Sequence, residues 1–220
     1  MLDDYTKRGM VLRTTLRLAA EKGWDGLTLL EIAEDAGVTL ADIYKDFGSK
    51  TGILTAFIDE VDRAMLKQAG KPDLTAPARD RLFEVIMTRL EILTPYKGAL
   101  KAIYCDLRCC APGRSSGRLL CATLNSQEWI LTAAGVPPTG PRGCVRLAGM
   151  TRLYACVMRT WLNDDSDDMA RTMAVLDREL SRGERWLKRL DAVVSDLRRI
   201  ACRLAPRRRR AAGAEQPGAG

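Results

Sequence analysis

The side chains best placed to do chemistry fall in residues 36–50, AGVTLADIYKDFGSK. Thr39 and Asp42 stand three apart, the spacing at which a hydroxyl and a carboxylate cap a helix start reciprocally, and Thr28-Leu29-Leu30-Glu31 carries the same device. Gly37 permits a turn between the two. The short helix that follows, Leu40 to Phe47, presents groups that bind rather than transform. The chain has no histidine. That removes Ser-His and Cys-His nucleophilic pairs, imidazole acid–base chemistry and every zinc site that needs a His ligand. Ser115-Ser116 and Cys109-Cys110 offer no spacing of nucleophile and base. The expectation is a binding protein and not an enzyme, with no cofactor and no metal.

Two further polar groupings have ordinary explanations. Asp164, Asp165, Ser166, Asp167 and Asp168 sit between two helical patterns. They read as one helix end followed by a cap through Ser166 or Asp167, with acids in the first turn, and no cation is needed. The seven cysteines, Cys105, Cys109, Cys110, Cys121, Cys144, Cys156 and Cys202, lie in apolar helical stretches without paired CxxC spacing. Reduced, buried thiols are expected.

The net charge of +7 is unevenly placed. Residues 1–50 hold seven Lys and Arg against nine Asp and Glu, net −2, while residues 198–220 hold seven Arg and one Glu, net +6. The opening region is slightly acidic, and the excess positive charge sits at the far end. No stretch reads as a leader or a membrane span, so a cytoplasmic location is expected.

Apolar residues recur at helical spacing almost throughout, and nothing alternates long enough for a sheet, so the fold class is all-α. Helix one should run from about Asp3 to Lys22 and stop at Gly23. Helices two and three begin at the two capping boxes and form a helix-turn-helix across Gly37-Val38-Thr39. A fourth runs from Ser49 to Gly70-Lys71-Pro72. Beyond come Pro77 to Leu93, Pro95 to about Cys110, Ser115 to Ala134, Gly143 to Leu162, and Met169 onward. The Gly143–Leu162 stretch is apolar around most of its circumference and should run through the middle of its domain. The last helix carries a heptad-like seam, Met169, Met173, Leu176, Leu180, Gly183, Leu187, Leu190, Val194, Leu197, Ala201 and Leu204, suited to a long helix of this chain or of a second copy. These segments divide the chain into a head at 1–50, a connecting helix at 51–70, a helical body at 71–205 and a disordered basic tail at 206–220.

The residues from about Met10 to Phe57, with Gly23-Trp24, Thr28, Ile32-Ala33-Glu34-Asp35-Ala36-Gly37-Val38, Ile43-Tyr44, Phe47-Gly48-Ser49-Lys50 and Leu54, resemble the TetR family of regulators. That resemblance implies a three-helix DNA-binding head on a larger domain that binds a ligand and dimerises through its last two helices. Two heads would then meet the half-sites of operator DNA. Leu40, Asp42 and Lys45 would face base edges, with Thr28, Thr39, Tyr44 and Lys50 completing the DNA-facing set. Leu40, Asp42 and Asp46 depart from the small, polar, basic or aromatic residues that such proteins usually carry there.

Residues 79–103 and 154–180, with Trp161 followed by the acids and Leu176-Asp177-Arg178, are similar to the coenzyme Q (ubiquinone) biosynthesis accessory proteins. Those proteins share the fold, have lost DNA reading, and hold an isoprenoid or other lipid. An apolar tunnel would be lined by Leu82, Ile86, Leu90, Tyr104, Leu124, Trp129, Met150, Tyr154, Met158 and Trp161. The basic stretch at 183–210 would suit peripheral contact with an anionic membrane, or the solvated face of a homodimer helix.

Overall fold

The computed structural model describes residues 6–109, 114–140, 143–166 and 168–204. Every element among them is helical: α1 Lys7–Lys22, α2 Leu29–Ala36, α3 Leu40–Asp46, α4 Lys50–Ala69, α5 Ala78–Leu93, a single 3-10 turn Thr94–Tyr96, α6 Lys97–Cys109, α7 Arg114–Ala133, α8 Gly143–Trp161 and α9 Ala170–Leu204. Helix α1 starts four residues later than expected from Asp3, which lies outside the described residues. Thr6 caps it by accepting from the Gly9 amide at 3.1 Å.

The head is built around Leu12, Leu16, Ala19, Trp24, Leu27, Ile32, Ile43 and Phe47, all buried. Gly70 does end α4, with φ near +61°, but it does not separate two compact units. Met1–Ser181 form one unit and Arg182–Gly220 the other, with the division falling inside α9. The physical reason is that α1 packs along α6, and α4 along α5 and α7. Head and helical body therefore share one continuous apolar core from Val11 to Leu180.

Three local expectations are corrected. Helix α8 is buried on one face only, through Gly143, Met150, Leu153, Tyr154, Val157 and Trp161, while Cys144, Ala148, Gly149, Arg152, Ala155 and Arg159 are exposed. Cys105, Cys121 and Cys144 are exposed free thiols and Cys156 is half-buried, because each falls on the outer side of its helix. Cys110 lies outside the described residues. The start of α9 is not capped by Ser166, and the alternative cap Asp167 lies outside the described residues. Instead the buried Asp164 carboxylate accepts from the Thr172 amide at 2.8 Å and its hydroxyl at 2.6 Å, and from the Ser166 hydroxyl at 2.5 Å. Burial works to raise the Asp164 pKa, but these donors outweigh it and hold the group at about 2. On α9 Leu176 and Leu180 are buried and Met169 and Met173 partly so, as the seam requires. The tail at 206–220 lies outside the described residues.

Candidate nucleic-acid interface

Two reciprocal capping boxes position the short helices. The Thr28 hydroxyl accepts from the Glu31 amide at 3.2 Å while the Glu31 carboxylate accepts from the Thr28 amide at 2.9 Å. Thr39 and Asp42 repeat the exchange at 3.1 Å in both directions. Between the helices Gly37 takes a left-handed conformation, φ 65° and ψ 33°, and the Val38 amide closes back on the Ala33 carbonyl at 3.0 Å. At the far end of α3, a Cβ on Gly52 would fall 1.9 Å from the Phe47 carbonyl oxygen. Only glycine lets α4 begin so close to α3.

With 3.6 residues per turn, the buried Ile43 and Phe47 fix which way every other α3 side chain faces. Ala41 and Lys45, one turn apart, form the outermost ridge. Leu40 and Tyr44, 48% and 77% exposed, make an apolar flank on one side, and Asp42 and Asp46 an acidic flank on the other. Of the predicted base-facing residues, Leu40 and Lys45 are free at the surface, and Lys45 has no ion pair or hydrogen bond among the described residues. Asp42 is committed elsewhere. One carboxylate oxygen accepts from both Thr39 groups, and Lys7 reaches both oxygens at 3.0 and 3.1 Å. The Thr39 amide, then Lys7, hold its pKa at about 2.

The remaining predicted contacts divide in the same way. Tyr44 projects into solvent. Thr28 and Thr39 spend their hydroxyls on the caps. Lys50 turns inward, its ammonium donating to the carbonyls of Trp24 at 2.7 Å and Leu27 at 2.8 Å and lying 4.8 Å from the Trp24 ring centroid. Ala41 was missed by sequence reasoning, although its place one turn before Lys45 is the signal that would have found it. Most other cations of the head face acids: Arg8 faces Glu60, Arg17 pairs with Glu21 and Asp35, and Lys22 with Glu31.

Asp106 on α6 ties head to body. Its carboxylate accepts from the amides of Trp24 at 2.6 Å and Asp25 at 3.1 Å. Within the body, the predicted tunnel residues Ile86, Leu90, Met150, Tyr154 and Trp161 are core, Leu82, Leu124, Tyr104 and Met158 are partly buried, and Trp129 stands at the surface, 43% exposed. Among them runs a buried polar junction. Arg89 pairs with Asp62 and donates to the Tyr154 hydroxyl at 2.8 Å, and the Ser126 hydroxyl donates to Asp62 at 2.8 Å. Burial raises the Tyr154 pKa and keeps the phenol protonated. No helix among the described residues is long and apolar enough to cross a membrane.

Two short helices joined by a tight turn make a helix-turn-helix, and here the pair is mounted on a helical body. Residues 11–57 match the family described as bacterial regulatory proteins, tetR family. The family likeness thus covers the head, and the fold as a whole is TetR-like. A TetR regulator from Nitrosomonas europaea is 23% identical with a TM-score of 0.65, covering 81% of this chain and 98% of its own. A second, from Rhodococcus sp. RHA1, is 19% identical with a TM-score of 0.57, covering 82% and 96%. The Bacillus subtilis regulator FadR, solved in complex with stearoyl-CoA, is 22% identical with a TM-score of 0.52, covering 78% and 97%. A search among curated proteins found no match.

Proposed function

We propose that this chain is a DNA-binding transcriptional regulator that acts as a homodimer and responds to a hydrophobic effector. The observation that carries the reading is α3 itself, a capped helix projecting the Ala41–Lys45 ridge outward from the residues that match the family. An effector entering the body would tilt α4, whose Asp62 meets Arg89 of α5 and Ser126 of α7, and so change the spacing of two heads on an operator. Effector and operator would then oppose each other. The similarity to a fold solved with an acyl-CoA supports an apolar, chain-like effector.

The test is fluorescence-anisotropy titration of the purified chain against its own upstream DNA at several salt concentrations. Sequence-preferring affinity that falls steeply with salt is expected; affinity indistinguishable from that for unrelated duplex overturns the reading.

One observation favours a second reading, a lipid-binding accessory protein that keeps the head without reading DNA. Lys7, Arg8, Arg17 and Lys22 all face acids, which leaves the acidic head little positive charge for phosphates. Native mass spectrometry separates the two. A co-purified isoprenoid together with absent operator binding supports the accessory role; an empty body with intact operator binding removes it.

A further inference from the structure

The α3 surface limits which bases it can read. Resting on the DNA-binding reading above, we propose that α3 recognises the methyl group of a thymine through Leu40 and Ala41, and a guanine about two base pairs away through Lys45. Four observations lead there. Leu40 and Ala41 are adjacent, exposed and apolar, and the only apolar group that a base edge offers in the major groove is the thymine methyl. Lys45 is exposed and without a partner among the described residues, and an unpaired ammonium on a reading helix matches the O6 and N7 acceptors of guanine. Asp42, which could otherwise accept from cytosine, has both oxygens occupied by Thr39 and Lys7. Finally, Ala41 and Lys45 lie one turn apart, about 6 Å along the helix, and a base step rises about 3.4 Å, so the two contacts fall about two steps apart.

Asp46 is the competing reader. It is exposed on the acidic flank, where it could accept from a cytosine amino group, but it stands off the ridge by about a quarter turn.

The experiment uses the full chain and a randomised duplex pool. Bound duplexes are selected, and the best is remade with each thymine replaced singly by deoxyuridine, which lacks only the methyl, and each guanine by 7-deazaguanine, which lacks only the N7 acceptor. One uridine replacement per half-site should weaken binding about fourfold, the effect of losing one buried methyl. One 7-deazaguanine replacement about two positions away should weaken it about fivefold or more. Leu40→Ala should shrink the uridine penalty below about twofold, and Lys45→Ala should abolish the 7-deazaguanine penalty. Because the uridine test alters only the DNA, it stands even if a variant fails to fold. Enriched duplexes in which no uridine replacement matters, or which are read through cytosine alone, overturn the base readout and leave DNA binding intact. No enrichment at all overturns DNA binding and this inference together.

Discussion

The head and the body of this protein handle charge in opposite ways. In the head, the two capping boxes join residues three apart at the surface, and Lys7, Arg17 and Lys22 meet acids that are exposed or half-buried. In the body, Asp62, Arg89, Ser126 and Tyr154 come from α4, α5, α7 and α8 and meet out of water. An exposed pair contributes about 0–1 kcal/mol, so the head draws its shape from helix caps and a small apolar core while keeping a surface open to a ligand. A buried pair must be satisfied wherever it lies. The body's junction therefore specifies how four helices meet, and any displacement of α4 has to disturb it.

The sharpest way to break this contrast is Arg89→Met. It leaves the Asp62 carboxylate buried beside Ser126 without its guanidinium, and should cost about 3–5 kcal/mol. Asp62→Leu combined with Arg89→Met removes both charges and should recover most of that loss. Lys7→Met, which breaks an exposed pair of the head, should leave the unfolding midpoint almost unchanged. Urea unfolding followed by circular dichroism reads all three. Equal costs for Arg89→Met and Lys7→Met would erase the distinction between the two regions.

The same contrast explains what the sequence disclosed. Helix bounds, both capping boxes and the Gly37 turn were legible because their partners lie within four residues, and so was the all-α class. The junction was not, because Asp62 and Arg89 lie 27 residues apart and Arg89 and Tyr154 lie 65 apart, and helical spacing carries no information about such partners. Gly70 shows a related limit. A helix breaker marks where an element stops, while α1 against α6 and α4 against α7 decide where a compact unit stops. The same blindness put Cys105 in a core, although it stands on the outer side of its helix. Lys50 entered the DNA-facing set because sequence cannot show the carbonyls of Trp24 and Leu27 that it meets.

Asp106 offers a middle case, a polar link between the two regions. It accepts from two amides of the turn that enters α2, and Gly23, at φ +83°, leaves room for it where a Cβ would approach its carboxylate at 3.1 Å. Asp106→Ala leaves the Trp24 and Asp25 amides without that acceptor and should cost about 1–3 kcal/mol. Asp106→Asn, which keeps an acceptor oxygen, should cost less. Hydrogen exchange should localise the effect, with the amides of residues 24 and 25 losing protection first. Unchanged protection there would mean that the packing of α1 on α6 alone holds the head in place.

The smallest effects separate the two capping boxes from each other. Thr39→Ala should lower stability by about 1 kcal/mol, as loss of a side-chain cap does, and Thr28→Ala by a similar amount. Their acids differ in what holds them. Glu31 and Asp42 are both lowered to about 2, from 4.5 and 3.8, but Lys22 is the leading cause for Glu31 and the Thr39 amide for Asp42. Folded carboxylates with depressed pKa values bind fewer protons than the unfolded chain, so their contribution is complete above about pH 4.5 and disappears as the pH falls toward 2. Salt screens an exposed ammonium more than a backbone amide held in a tight turn. Raising the ionic strength, or making Lys22→Met, should therefore move Glu31 back toward its ordinary value, whereas Lys7→Met should move Asp42 less. Carboxyl chemical shifts followed through an acid titration would measure both. If Asp42 responded to the loss of Lys7 as strongly as Glu31 does to the loss of Lys22, then Lys7 rather than the cap would be what keeps that carboxylate away from a base edge.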